Sequence, residues 1–158
     1  IRAADMIRER VPDVSITTDV IVGFPGETEI DFSQTYRVCE RVEFASIHVF
    51  PYSPREGTSA YHSKDIVAHE IKSRRGADLL ELSTRQSSVF KKEFLHTTRS
   101  VLWEETKDYY ESEYWIGLTD NYIKVLAKSS TPLRNQITDA RLVRQMDEII
   151  IAEIRAQP

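Results

Sequence analysis

The 158-residue sequence has a single cysteine, Cys39, and only five glycines. One cysteine excludes an intramolecular disulfide, and it excludes a cysteine-ligated iron–sulfur cluster assembled by this chain alone. Long apolar runs are missing too, because acidic residues interrupt the most apolar stretch well short of the roughly 20 residues that a membrane-spanning helix needs. With 41% apolar residues, the composition favours a globular protein with a conventional core.

An excess of positive charge is also missing. The formal net charge is −4, and no part of the chain is strongly basic. Residues 1–63 carry six Lys and Arg against ten Asp and Glu, residues 64–93 carry seven against five, and residues 94–158 carry eight against ten. Net charge therefore gives no support for nucleic-acid binding, and any such function must depend on local patches.

The first half of the sequence predicts alternating helices and strands. Apolar spacing predicts a helix over residues 1–10, a buried strand over 14–22, a helix over 28–42 capped by Thr28, and a second buried strand over 44–50. This order, with short connections, is typical of parallel βα units. Because two strands need neighbours on their backbone edges, we expect them to pair with further chain.

The second half predicts a long helix and then a small β-barrel. A helical stripe covers residues 63–94, and Ser63 and Asp65 suit its start. Short strands then follow in RSVLWEE, GLTDNYIKVLAK, NQITDARLV and EIIIAEI. Four or five short strands within about 60 residues indicate a small barrel, of which OB-like folds are one case. We therefore expect two domains, residues 1–94 and 95–158.

Two glycine-containing loops follow the predicted strands. GFPGE (residues 23–27) and PYSPREGT (residues 51–58) come where the strands end, which is the edge at which parallel α/β layers bind ligands. Neither segment matches the GxxxxGK[ST] phosphate loop or the GxGxxG fingerprint. Two alternatives stay open: the glycines only shape tight turns, or they let the backbone approach a flat or charged ligand.

Four further residues of this half have candidate roles. Arg55 can make bidentate contacts with a carboxylate or phosphate. Asp19 lies inside an apolar run, so a structural role and an active-site role are equally open. Cys39 lies on an apolar helical stripe and is expected to be a core thiol, and His48 is expected to be structural. The other histidines show no metal-ligand spacing, so no metal site is predicted.

Alternation along NYIKVLAK gives the second half a candidate RNA-binding face. The residues directed to that face are Tyr122, Lys124, Leu126 and Lys128. A base could stack on Tyr122 while phosphates approach the lysines, with Asn121 and Arg134 close by. The alternative is an ordinary solvated strand face.

Together these segments resemble a known family. TTDVIVGFPGETEIDF, followed after one helix by FPYSPREGTSA, is similar to the last two βα units of the radical S-adenosylmethionine barrel in the methylthiotransferases. RSVLWEE and GLTDNYIKV resemble the TRAM domain that ends those enzymes, although family members often have a glycine where this chain reads FLHTTRS. The signature is most similar to the branch that acts on threonylcarbamoyladenosine in tRNA. Sister branches act on isopentenyladenosine in tRNA or on a ribosomal protein.

The resemblance implies a transferase that adds a methylthio group to the modified adenosine beside the anticodon. It implies S-adenosylmethionine and two [4Fe–4S] clusters in the full-length enzyme, with Arg55 and Asp19 near the cofactor or substrate. The residues at the S-adenosylmethionine rim would be Gly23, Phe24, Pro25, Gly26 and Glu27. The cluster-ligating CxxxCxxC motif belongs to earlier parts of such enzymes, so this chain is expected to be an inactive carboxy-terminal segment that binds no cofactor by itself.

The partners implied by the resemblance are the tRNA anticodon stem-loop and the amino-terminal part of the enzyme, in the cytoplasm and without a membrane. Two other interpretations stay open. The chain could be a stand-alone RNA-binding module whose α/β part is a scaffold. It could also be a structural remnant whose unpaired strand edges join two chains as a dimer.

Overall fold

The computed structural model of the chain describes residues 1–109 and 111–155. The chain forms two compact units, Ile1–Ser87 and Ser88–Pro158. Within the described ranges, every helix is too short or too polar to span a membrane.

The first unit combines helices with a two-stranded parallel sheet. Its elements are α1 (Arg2–Arg10), β1 (Thr17–Val22), α2 (Glu29–Val42), β2 (Ser46–Pro51), a 3-10 helix (Ser59–His62) and the first part of α3 (His69–Glu93). Strands β1 and β2 are parallel, with Thr17 opposite Ser46 and Val22 opposite Pro51. The mixed α/β character and the order of helices and strands are those that the sequence predicts.

Helix α3 begins later than the sequence predicts. Residues 63–68 are not helical, and the carbonyl of Asp65 accepts a hydrogen bond from the N–H of Gly26 at 2.8 Å. Because this segment bonds to the loop after β1 instead of to the next helical turn, the predicted start at Ser63 is wrong and the helix starts at His69.

One face of the sheet packs against α2 and α3. The buried cluster consists of Val22, Phe32, Cys39, Ile47, Leu79 and Leu82. Leu79 and Leu82 are almost completely buried, as the apolar stripe of the helix predicts. The core thiol predicted for Cys39 is confirmed, since that side chain is buried within this cluster.

Polar side chains also lie on the buried side of α3. The Nε2 of Gln86 donates hydrogen bonds to the carbonyls of Cys39 and Glu40 at 3.0 and 3.1 Å. The hydroxyl of Ser83 accepts a hydrogen bond from the N–H of Ile47 at 2.9 Å and donates one to its carbonyl at 3.4 Å. These bonds attach α3 to the end of α2 and to β2.

The other face of the sheet is exposed. Asp19 lies opposite His48, and Ile21 lies opposite Phe50; the two apolar side chains are 54% and 51% exposed. The apolar runs predict strands that are buried on both faces of the sheet. For the residues that the structure describes, this prediction is wrong, because only one face is buried. Asp19 and His48 also lie on this open face and are exposed, so the apolar run around Asp19 does not bury its side chain.

The second unit is a closed barrel. Its strands are β3 (Thr98–Tyr109), β4 (Ser112–Thr119), β5 (Lys124–Ala127), β6 (Ile137–Met146) and β7 (Ile149–Ile154). They are arranged in the order β3-β4-β5-β7-β6, and β6 closes the barrel by pairing with β3. The interior contains Val101, Trp103, Val125, Leu142 and Ile150, each fully buried. The small β-barrel predicted from the strand spacing is confirmed.

The segment GLTDNYIKVLAK forms two strands, although its alternation predicts one. A turn separates β4 from β5: Tyr122 adopts a φ of 63° and donates its N–H to the carbonyl of Thr119 at 2.9 Å. The hydroxyl of Thr119 accepts the N–H of Ile123 at 2.9 Å. No glycine or proline marks this turn in the sequence, which explains why the pattern missed it.

Candidate functional site

The GFPGE loop leaves the carboxyl end of β1 in a conformation that requires glycine. Gly23 and Gly26 have φ values of 71° and 81°, in the left-handed region that glycine adopts without a steric penalty. A Cβ atom on Gly23 would also collide with the side chain of Lys72 from α3. Conformation and close packing therefore both explain Gly23.

Glu27 closes this loop from the inside. Its Oε2 accepts a hydrogen bond from the N–H of Gly23 at 2.6 Å and another from Nη1 of Arg75 at 2.6 Å. The N–H of Glu27 donates to the carbonyl of Phe24 at 2.9 Å. The carboxylate is thus engaged within the loop, while Phe24 remains 48% exposed. Sequence reasoning missed Arg75, because a charged residue within a long helix usually lies in solvent.

The loop after β2 lies directly beside GFPGE. The N–H of Tyr52 donates to the carbonyl of Val22 at 2.8 Å, and the rings of Phe24 and Tyr52 meet edge to face with centroids 5.1 Å apart. The Nζ of Lys72 donates to the carbonyl of Tyr52 at 3.4 Å. The two loops that the sequence identifies as candidates are therefore neighbours, and α3 contacts both.

Arg55 and Asp19 are both exposed. Arg55 lies in the loop between β2 and the 3-10 helix, where its carbonyl accepts hydrogen bonds from the N–H and hydroxyl of Thr58 at 3.3 and 2.8 Å. Asp19 lies on the open face of the sheet, beside His48. His48 is a further polar residue of this face that the sequence did not single out as functional.

The first turn of α2 contains two acidic residues, Glu29 and Asp31. Asp31 donates its N–H to the hydroxyl oxygen of Thr28 at 3.2 Å and accepts the N–H of Thr28 at 2.9 Å, which makes a capping box. The hydrogen bonds from Thr28 lower the pKa of Asp31, and the hydrogen bond from Arg75 lowers the pKa of Glu29. This negative charge disfavours a bound anion here, although helix N-termini often bind one.

The predicted RNA-binding residues on the barrel are only partly brought together. Tyr122 is 78% exposed, and Lys124 and Arg134 are exposed. The Nζ of Lys128 donates to the hydroxyl of Ser112 at 3.1 Å and lies 5.0 Å from the centroid of the Tyr114 ring. Lys128 is thus held against β4.

Two residues depart from the predicted face. Leu126, between the two lysines, is completely buried, so the face is not open along its length. Asn121 is 7% exposed and accepts a hydrogen bond from the hydroxyl of Thr119 at 2.6 Å. Its side chain supports the turn before β5. Strand alternation did not predict the burial of Leu126. Alternation assigns a side chain to one face of a strand, but it does not show which other residues cover that face.

An apolar row on the barrel surface was missed by the sequence. Leu102 of β3 lies opposite Leu118 of β4 and opposite Ile137 of β6. Lys124 of β5 lies opposite Leu118 at the end of the row. Leu102 and Ile137 are 42% and 65% exposed. Strand pairing could not be read from the sequence, so these three side chains could not be placed together.

The described residues offer no metal centre. They contain no group of three or more His, Cys, Asp and Glu side chains arranged to hold a metal ion. Cys39 is 3% exposed in the core of the first unit, and burial raises the pKa of its thiol. A buried thiol with a raised pKa is a poor metal ligand, so the residues present do not fit an iron–sulfur cluster.

Fold and surfaces together define a protein with an α/β unit, whose two adjacent loops border an open sheet face, and a closed five-stranded barrel. No family model matches the chain. Known proteins do match it. It is 34% identical over 139 residues to threonylcarbamoyladenosine tRNA methylthiotransferase MtaB of Bacillus subtilis, covering 87% of this chain and 31% of that protein.

Two further relatives carry a related name. The chain is 41% identical over 140 residues to tRNA-2-methylthio-N(6)-dimethylallyladenosine synthase of Aliarcobacter butzleri, covering 88% of the chain and 31% of the relative. The enzyme of that name from Endomicrobium trichonymphae is 46% identical over 102 residues, 65% of the chain and 24% of the relative. The chain belongs to the tRNA methylthiotransferase family. It spans about a third of the length of the first two of these relatives.

Proposed function

We propose that the chain is the carboxy-terminal part of a radical S-adenosylmethionine methylthiotransferase that modifies threonylcarbamoyladenosine beside the anticodon of tRNA. The observation that carries the proposal is the likeness to the Bacillus subtilis enzyme over 87% of the chain. In this proposal residues 1–94 are the last βα units of the barrel and residues 95–158 are a TRAM domain. The enzyme works in the cytoplasm.

The α/β unit would form one wall of the S-adenosylmethionine site. Ile21, Phe24 and Phe50 are about half exposed at the carboxyl ends of the two strands, and such an apolar surface suits the flat face of an adenine. When bound, S-adenosylmethionine and the clusters supply the radical and the sulfur chemistry. The residues of this chain bind the adenosyl group, orient it through the GFPGE loop and exclude water.

The iron ligands would come from the amino-terminal part of the enzyme, since Cys39 does not fit that role. This segment alone is then inactive and binds neither cluster. Arg55 and Asp19 would face the cofactor or the substrate from the second loop and from the open sheet face.

The barrel would hold the anticodon stem-loop. Tyr122 offers an exposed ring for stacking, and Lys124 and Arg134 offer charges for phosphates. The apolar row of Leu118, Leu102 and Ile137 adds a surface against which unpaired bases can pack. Because the unit has no excess of positive charge, we expect a small footprint and modest affinity.

RNA binding by the chain tests this part of the proposal. Tyr122→Ala should weaken binding of a fluorescent anticodon stem-loop about fivefold to a hundredfold, as expected for the loss of one stacked base. Lys124→Ala should weaken it less and reduce its salt dependence. Tyr61→Ala, an exposed tyrosine of the first unit, is the matched control. Equal affinity of all variants in fluorescence anisotropy would contradict RNA contact through this face.

The second candidate substrate is isopentenyladenosine in tRNA, which the relatives named dimethylallyladenosine synthases favour. The full-length gene should be expressed in bacterial strains that lack one or the other methylthiotransferase, and tRNA nucleosides should be measured by mass spectrometry. Methylthiolated threonylcarbamoyladenosine supports the proposal. The methylthiolated isopentenyl nucleoside alone supports the second candidate. Absence of both, with RNA binding retained, points to an RNA-binding module.

A further inference from the structure

We propose that Arg75 is the positioning residue of the GFPGE loop, and that it acts through Glu27 to hold this loop in the shape that S-adenosylmethionine requires. The inference rests on the proposed function for the identity of the ligand. It names a residue outside both loops, in the first third of α3, that the sequence motifs do not include.

The contacts of Arg75 lead directly into the loop. Its Nη1 lies 2.6 Å from Oε2 of Glu27 and 3.3 Å from the carbonyl oxygen of Glu27. The same Oε2 accepts the N–H of Gly23 at 2.6 Å. One carboxylate oxygen thus joins the helix to the first residue of the loop, and the Arg75 side chain sets the distance between the two ends of GFPGE.

The rest of the guanidinium is held by residues of α2. Its Nη2 lies 3.1 Å from Oε2 of Glu29, and its central carbon lies 5.3 Å from the centroid of the Phe32 ring. A planar fork can make these contacts at once, whereas the single ammonium of a lysine cannot. The geometry therefore depends on arginine and not on positive charge alone.

The burial of the Arg75–Glu27 ion pair indicates that this pair has a role beyond stabilising the fold. Arg75 is 3% exposed and Glu27 is 11% exposed, and Nε of Arg75 has no hydrogen-bond partner among the described residues. Apolar side chains of similar volume usually stabilise a fold at least as well as a buried ion pair. An incompletely bonded arginine in the core is therefore better explained by the need to fix the loop.

The fixed loop is what a ligand would meet. Gly23 directs its N–H inward to Glu27, and Phe24 is held against Tyr52 and is about half exposed. If Glu27 were released, the Gly23 N–H would lose its hydrogen-bond acceptor, and the Phe24 ring would lose its defined position against Tyr52. Binding of an adenosyl group would then include the cost of ordering the loop.

Hydrogen exchange on the chain itself tests the positioning without any cofactor. In Arg75→Gln, the Gly23 amide should exchange at least about tenfold faster, while amides around Leu79 and Leu82 in the same helix stay protected. Arg74→Gln is the matched control, because Arg74 is 56% exposed and pairs only with Glu29 in the described structure; its Gly23 exchange should be unchanged. Unchanged Gly23 exchange in Arg75→Gln would overturn the proposal.

Two milder variants keep the test decisive if Arg75→Gln unfolds. Glu27→Gln removes the charge that receives Arg75 and should also speed Gly23 exchange. Arg75→Lys keeps the charge but not the fork, and it should restore only part of the protection. Uniformly faster exchange throughout residues 1–87 in both variants would show a general role in stability and would reject positioning.

The second readout is kinetic and uses the full-length enzyme. Arg75→Gln should raise the KM for S-adenosylmethionine about tenfold, with kcat changed less than about twofold, and Arg74→Gln should match the parent. A fall in kcat at unchanged KM would reject the inference. If the parent enzyme itself has no methylthiotransferase activity, the proposed function fails, and the exchange experiment still decides whether Arg75 positions the loop.

Discussion

At the scale of single residues, function and backbone geometry leave different traces in the sequence. Gly23 and Gly26 could be identified as turn residues because glycine is the usual residue at positive φ. Arg75 could not be identified, because its spacing along α3 does not reveal that the loop after β1 covers it. The exposure of Asp19 could not be predicted either, because the sequence shows its apolar neighbours but not the open face of the sheet.

His96 is a residue in a conformation that suits glycine. It has a φ of 69°, and its N–H donates to the carbonyl of Leu142 at 2.6 Å. It lies in the FLHTTRS segment, just before β3. His96→Gly keeps the backbone bond and removes the steric cost, so we expect the free energy of unfolding to rise by about 0.5–1 kcal/mol.

Urea denaturation of the chain measures this change. His96→Ala is the control, because alanine gains no freedom at positive φ and should be no more stable than the parent. A glycine variant that is less stable than the alanine variant would contradict the interpretation of His96 as a strained residue.

At the scale of elements, helix and strand order could be predicted well, and boundaries less well. The Thr28 cap predicted for α2 is present, and Asp31 completes it as a capping box. The first turn predicted for α3 was wrong since residues 63–68 bond to another loop. The single strand predicted over GLTDNYIKVLAK was wrong since its turn contains no glycine or proline. The two failures differ in cause: a long-range hydrogen bond, from Gly26 to Asp65, holds residues 63–68 out of the helix, whereas local hydrogen bonds to Thr119 make the turn before β5.

The capping box should make α2 sensitive to acid. Hydrogen bonds from Thr28 hold the pKa of Asp31 below its ordinary value. A carboxyl whose folded pKa is depressed stabilises the fold above its unfolded pKa, and this contribution is lost as the pH falls through the folded pKa. We therefore expect the free energy of unfolding to fall as the pH drops below about 4, the ordinary pKa of an aspartate, and to fall less in Asp31→Asn.

Denaturant unfolding at a series of pH values measures the slope of the free energy of unfolding against pH. Asp5→Asn changes an exposed acid of α1 and should keep the slope of the parent. Identical slopes for the parent and Asp31→Asn would show that the box does not contribute to acid sensitivity.

At the scale of the whole molecule, the α/β-plus-barrel organisation could be read from the sequence, but the extent of the sheet could not. The strands were expected to find further partners. In the described structure β1 and β2 pair only with each other, and the face of the sheet that carries Ile21 and Phe50 is exposed. Which strands close a barrel, and in what order, depends on pairings distant in sequence, so the row of Leu102, Leu118 and Ile137 emerged only in three dimensions.

This open face should make the isolated chain associate with itself. We expect light scattering to show a weight-average mass that rises with concentration. Ile21→Lys should reduce association several-fold by placing a charge on the face. Ile30→Lys changes an isoleucine of α2 that is 70% exposed, and it should have no effect. A mass that stays monomeric at all concentrations would contradict this prediction.

The Ser83 hydroxyl determines which edge of the two-stranded sheet can pair with a further strand. In a parallel ladder, alternate residues of a strand point their backbone groups to the outer edge, and Ser83 binds both such groups of Ile47. A strand approaching β2 from outside would have to displace this hydroxyl. The outer edge of β1 has no such cap in the described residues, so any polypeptide that extends this sheet should add beside β1, and β2 should remain its terminal strand.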